Sequence, residues 1–107
     1  IIGEVNGKNA LIVDDFTISC GTLIDTARAL RENGAERIIA CVTHPLLGEY
    51  GLACLDASPI EQLITTDTVE NTIAFSHPKV TVVSVSGLFA QAVEIIHTRE
   101  SLSLLFD

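Results

Sequence analysis

Residues 11–22 read Leu-Ile-Val-Asp-Asp-Phe-Thr-Ile-Ser-Cys-Gly-Thr: an apolar run, two adjacent carboxylates, a small hydroxyl-bearing loop, and the opening of a helical pattern. Asp14 and Asp15 repel one another unless a cation or hydroxyl donors share them. A magnesium ion or a polyhydroxyl ligand is the partner such a pair suits. Ser19, Cys20, Gly21 and Thr22 supply hydroxyls, small side chains and backbone N–H groups where a helix starts, which is the chemistry of a phosphate cradle. The plainer role for Ser19 is to cap that helix. The stretch is no P-loop, because the G-x-x-x-x-G-K-[ST] spacing and its lysine are missing.

Two further polar clusters end apolar runs, Thr43-His44 and Thr66-Asp67-Thr68. In open α/β sheets, ligands bind beyond the carboxyl ends of the strands, so clusters at successive strand ends converge on one rim. His44 is a candidate acid–base group or ligand contact, with ordinary polar surface as the alternative. His97 reads as structural. A helix N-terminus could lower the pKa of Cys20, but no base stands near it, and a catalytic thiol is not expected.

The elements that must position these residues follow from apolar spacing. Ile1 to Val5, Asn6-Gly7 and Asn9 to Val13 read as a strand, a hairpin turn and a second strand. Ala10 to Val13 is continuously apolar, the pattern of a strand buried on both faces. A helix is expected over 21–33, with Leu23, Ala27, Leu30 and Ala29 inward and Asn33-Gly34 as its stop. A second core strand spans 37–42, and Thr43-His44-Pro45 ends it. Leu46 to Leu55 reads as a helix weakened by Gly48 and Gly51, before Ser58-Pro59. A strand at 61–65, a polar loop at 70–79, a strand at 80–85 and a helix at 87–97 complete the order. Ser86 is the expected N-cap of that last helix, and Leu88, Ala92, Ile95 and Ile96 its buried face. Ser101 to Phe106 is apolar enough to dock as a final strand or turn. The alternation predicts an α/β fold in one small domain.

Composition narrows the class. The chain has 107 residues, is 48% hydrophobic and contains few aromatics, which suits an aliphatic core around a parallel sheet. A net charge of −8 leaves no basic stripe to track a phosphate backbone, so nucleic acid is not an expected partner. Three cysteines without paired spacing argue against a disulfide framework or zinc ribbon and for a reducing compartment. No apolar run approaches the roughly 18–20 residues that span a bilayer, and no charged-then-apolar leader pattern is present. The expected location is the cytoplasm, without membrane attachment.

The motif Val13-Asp14-Asp15-Phe16-Thr17-Ile18-Ser19-Cys20-Gly21-Thr22 resembles the phosphoribosyl-pyrophosphate (PRPP) signature of type I phosphoribosyltransferases. It most resembles the version in the ribose-phosphate pyrophosphokinase (PRPP synthetase) family. Gly34-Ala35, Thr43-His44, Thr66-Asp67-Thr68-Val69 and the tail from His97 through Glu100-Ser101-Leu102-Ser103-Leu104-Leu105-Phe106 extend the likeness over essentially the whole chain. The resemblance implies a three-layer α/β/α fold with a mainly parallel sheet, incomplete on one side, as the C-terminal part of a phosphoribosyltransferase-like domain. It implies that Asp14 and Asp15 bind the ribose hydroxyls, directly or through Mg²⁺. It gives Ser19, Cys20, Gly21 and Thr22 the 5-phosphate, and Thr17 and Ile18 the shaping of the loop between. The reaction implied is pyrophosphoryl transfer from MgATP to the 1-hydroxyl of ribose 5-phosphate, forming PRPP for nucleotide biosynthesis, by an enzyme that is a homo-oligomer.

Ile18 departs from the pattern, since the family has Asp or Ser there. The family's ATP-binding half and its loop of catalytic Lys and Arg would precede Ile1. No catalytic residue is therefore expected in these residues, and they are expected to be inactive alone, with most of the ATP site elsewhere. A phosphoribosyltransferase that uses PRPP shares the cradle, and a non-catalytic regulatory homologue of the synthetase also accommodates Ile18. A response-regulator receiver domain also opens with an apolar strand into Asp-Asp. It would need Asp56 to end a strand as phosphoacceptor, where a helix is expected instead.

Overall fold

A computed structural model describes residues 1–106. Its elements are β1 (Ala10–Thr17), α1 (Gly21–Glu32), β2 (Ile38–Pro45), α2 (Glu49–Asp56), β3 (Gln62–Thr66), α3 (Thr72–Phe75), β4 (Val80–Val83), α4 (Ser86–His97) and a 3₁₀ turn, Leu102–Leu105. The four strands form one parallel sheet in the order β1-β2-β3-β4. Parallel neighbours need a crossover between them, and α1, α2 and α3 provide the connections.

Register explains where the core lies. Ile12, Ala40, Leu63 and Val80 are partners across the sheet, and Val13, Cys41, Ile64 and Thr81 form the next row, pointing to the other face. The first row packs under the helices. Leu23, Ile24 and Ala27 of α1, Leu52 and Leu55 of α2, and Ala74 of α3 join Ile38, Ala40, Val42 and Leu63 in one buried cluster. The face that the second row shares with Leu11 has no such cover at β1: Leu11 is 62% and Val13 73% exposed. Helices thus cover one face of the sheet and leave the other open among the described residues.

Several local expectations change. The N-terminal hairpin does not form. Gly7 N–H donates to the Gly34 carbonyl (2.9 Å), and Ala10 N–H donates to Arg37 (2.7 Å), so the Asn6-Gly7 turn docks on the stop of α1 and feeds the parallel ladder. Residues 1–5 join no strand, and Ile1 and Ile2 stay exposed. β1 is accordingly an edge strand with one face open, rather than a strand buried on both faces.

β2 runs on through His44 to Pro45, which pairs with Thr17. A proline at the last position of a strand leaves no interior ladder bond unmade. The polar loop at 70–79 contains α3, whose first turn is capped by Asn71, its Oδ1 accepting from Ala74 N–H at 3.1 Å. Ser86 lies inside α4 instead of capping it. The preceding residue is Val85, and Ser84 Oγ accepts the Ser86 N–H. α4 buries none of its residues. Leu88 and Ile96 are exposed because the helix packs on the 3₁₀ turn, around a small apolar cavity with Phe89, Ala92, Leu102 and Leu105, and not on the core.

Candidate functional site

β1 delivers Asp14 and Asp15 to the carboxyl end of the sheet, and the chain then crosses to α1 through Phe16 to Cys20. Residues 14–23 line one continuous cleft of about 300 Å³, so the acids and the small-residue loop share a single volume. The crossing depends on Cys20, which adopts left-handed backbone angles (φ 63°) and precedes the first helical residue, Gly21. Its carbonyl accepts the first helical bond, from Ile24 N–H at 2.8 Å. The N–H groups of Gly21, Thr22 and Leu23 lie in the first turn, where a helix has no internal acceptor to offer.

Ser19 does not cap this helix conventionally. Its hydroxyl stands 3.5 Å from Gly21 N–H, too long to satisfy it, and no side chain caps α1. The unsatisfied donors and the positive end of the helix dipole therefore face the cleft, an arrangement suited to an anion. Below the loop, Thr17 is buried and its carbonyl accepts Leu46 N–H at 2.9 Å, which ties the loop to the start of the α2 connection. Ile18 is 61% exposed beside the cleft.

The carboxylates are held by local backbone. Asp14 Oδ1 accepts Asp15 N–H and Asp15 Oδ1 accepts Phe16 N–H, each at 2.8 Å. The Phe16 N–H first, and Asp14 next, hold the Asp15 carboxyl below the ordinary carboxylate range, with His44 adding a smaller pull. One oxygen of each acid remains available. Among the described residues no three His, Cys, Asp or Glu side chains come together as a metal cage. Two adjacent carboxylates nonetheless fit Mg²⁺, which takes one or two protein carboxylates and fills its octahedron with water and substrate oxygens.

The Cys20 thiol differs from the sequence expectation in sign. It is buried, and burial pushes its pKa up, outweighing the Thr17 hydrogen bond that acts in the other direction. A buried neutral thiol is packing, not a nucleophile.

The other polar strand ends divide between two places. His44, paired with Phe16 across β1 and β2, belongs to the rim of the acids, and its Nδ1 lies 2.7 Å from Thr68 Oγ1. Asp67 turns away. It accepts Ser84 Oγ–H and Val85 N–H (2.9 Å) and lines a separate cleft with Thr68, Val85, Ser86 and Phe89.

Two supporting residues escaped the sequence reading. Asn71 Nδ2 donates to the carbonyls of Pro45 (3.0 Å) and Leu47 (2.9 Å), clamping the loop after His44. An Asn just ahead of a helical turn is a recognisable N-cap signal, but its donors give no sign of a distant target. Gly51, read as a weakness in α2, is buried against the backbone of Ile18 and Ser19.

The chain matches the family described as the phosphoribosyl synthetase-associated domain over residues 1–107. Among curated proteins it is 38% identical over 107 residues to a ribose-phosphate pyrophosphokinase of Oceanobacillus iheyensis, covering all of this chain and 34% of the relative. It is 42% identical over 106 residues to one of Caldanaerobacter subterraneus subsp. tengcongensis, covering 99% of this chain and 34% of the relative. The crystal structure of phosphoribosylpyrophosphate synthetase from Mycobacterium smegmatis superposes with a TM-score of 0.86 at 28% identity, over 92% of this chain and 33% of that one. The chain spans about a third of the length of these relatives.

Proposed function

The chain belongs to the phosphoribosyl synthetase-associated domain family, and from that premise we propose that it is the pentose-phosphate-binding part of a ribose-phosphate diphosphokinase. The complete enzyme transfers a pyrophosphoryl group from MgATP to the 1-hydroxyl of ribose 5-phosphate. Asp14 and Asp15 hold the ribose hydroxyls directly or through Mg²⁺, Ser19 to Thr22 hold the 5-phosphate through backbone N–H groups and hydroxyls, and Thr17 and Ile18 shape the loop between. PRPP, sharing the same ribose and 5-phosphate, binds the same way. The observation that carries this reading is the single cleft in which two carboxylates and an uncapped helix start face one ligand-sized space. Positioning and charge neutralisation do most of the work in phosphoryl chemistry, and this cleft supplies both for one substrate.

The ATP site and the catalytic cations belong to residues outside this chain. The unpaired edge of β1 and the uncovered sheet face support that division: both expose groups that a further strand and helix of the same polypeptide would pair and cover. The chain is then the C-terminal part of a phosphoribosyltransferase-like domain, inactive alone, in a homo-oligomeric cytoplasmic enzyme. Among the described residues no helix is long and apolar enough to cross a membrane.

A regulatory homologue is the second reading, favoured by the exposed apolar side chain of Ile18 in the ligand loop. Calorimetric titration of the chain with ribose 5-phosphate, with and without Mg²⁺, tests the proposal. Saturable binding that Mg²⁺ strengthens is expected. Absence of binding under both conditions would overturn it in favour of the decayed site.

A further inference from the structure

One side-chain amide, that of Asn71, holds three backbone groups, and the direction of each bond is fixed. Its Oδ1 accepts Ala74 N–H at 3.1 Å, since a backbone N–H can only donate. Its Nδ2 faces two groups that can only accept, the carbonyls of Pro45 at 3.0 Å and Leu47 at 2.9 Å. A flipped amide would lose all three bonds.

The Pro45 carbonyl and the Leu46 N–H are the two ends of one planar, trans peptide unit, so they point in opposite directions. On the far side, Leu46 N–H donates to the Thr17 carbonyl at 2.9 Å. Pro45 is the partner of Thr17 in the register but has no N–H to offer, and the bond falls to Leu46. Pro45 and Leu47 are buried on either side, whereas the Leu46 side chain is exposed, which leaves the tilt of its peptide to hydrogen bonds. Asn71 thus orients the plane whose N–H grips the end of β1. That grip is the anchor of the loop, because among the described residues positions 18–20 make no hydrogen bond outside residues 17–24. The Thr17 carbonyl in turn shares a peptide plane with Ile18 N–H, and Thr17 through Leu23 all line the cleft. A tilt of the Leu46 peptide is passed to Ile18 and onward to the start of α1. We propose that Asn71 is a positioning residue for the cleft: acting through the Leu46 peptide, it sets the loop that receives the ligand's phosphate. This rests on the reading of the cleft as a pentose-phosphate site and adds to it a residue that touches no ligand.

Asn71→Ser and Asn71→Asp separate this role from the capping of α3. Both side chains are good N-caps and keep an oxygen for Ala74 N–H, but neither carries the two N–H donors. Amide hydrogen exchange reads the backbone relay, and calorimetric titration with ribose 5-phosphate reads the cleft. In both variants Ala74 should stay as protected as in the wild type, while Leu46 exchanges about tenfold faster. Affinity for ribose 5-phosphate should fall about threefold to tenfold, the loss of one hydrogen bond. Wild-type exchange at Leu46 in both variants overturns the relay. Faster exchange at Leu46 with unchanged affinity overturns the positioning role and leaves the pentose-phosphate reading intact. A wild-type protein that binds no ribose 5-phosphate sinks that reading and the ligand's part in the proposal, whereas faster exchange at Leu46 still establishes the relay.

Discussion

Gly51 in α2 lies directly against the carbonyl of Ile18: a Cβ built on Gly51 would stand 3.1 Å from that oxygen and 3.0 Å from the Leu47 Cδ2 methyl. The helix can approach the loop between β1 and α1 this closely only because position 51 has no side chain. Gly51→Ala adds up to about 1 kcal/mol of helix propensity. It also pushes the Ile18–Ser19 backbone outward by a few tenths of an ångström. The expected outcome is a protein of little-changed thermal stability whose ribose 5-phosphate affinity falls roughly threefold, a partial loss of one hydrogen bond. Unchanged affinity in calorimetry would show that the loop does not depend on this contact.

Asp67 ties the end of β3 to the start of α4, and its carboxyl is held below the ordinary carboxylate range by the Ser84 hydroxyl and then the Val85 N–H. A depressed pKa in the folded state means that the carboxylate's contribution is complete above the unfolded value of about 4. It is lost as pH falls through the lower folded value. The Val85 amide resonance should therefore stay constant from neutrality to about pH 4 and move only in stronger acid. Asp67→Asn should abolish that movement. A midpoint at or above the ordinary carboxylate value contradicts the tie.

Alkylation by iodoacetamide near pH 8, followed by mass spectrometry, ranks the thiols. Cys41 and Cys54 are half-buried, whereas Cys20 is 1% exposed with its pKa raised by burial. Cys20 should be the last to react in the native state and should match the others once the chain is unfolded. Early labelling of Cys20 would mean an open, electropositive loop.

Leu55 is fully buried beneath the sheet in the cluster formed with Ile38, Ile60 and Leu63. Leu55→Ala should cost about 2–5 kcal/mol, measured by urea denaturation, because the packed surroundings collapse only partly into the space left. By contrast, Leu88→Ala in the exposed helix α4 should cost far less in this chain. Equal losses would place α4 in the core after all.

Local sequence determined the strand–helix alternation, the stop at Asn33-Gly34, and the joining of Asp14-Asp15 to Ser19 through Thr22 in one cleft. Each of these depends on neighbours in the chain: apolar period, a residue that tolerates positive φ, and the short path from a strand end to a helix start. Burial and partnership were decided by tertiary structure. Ala10 to Val13 is apolar enough for a central strand, yet the sheet order places it at an edge, and Leu11 and Val13 stay open to solvent. The stripe of α4 is equally apolar and equally uncovered. An apolar pattern records that a face can be buried, while the register of the strands decides what reaches it. The same holds at the site. His44 and Thr68 are 24 residues apart and meet only because β2 and β3 end side by side, which turns a lone histidine into one with a hydrogen-bond partner.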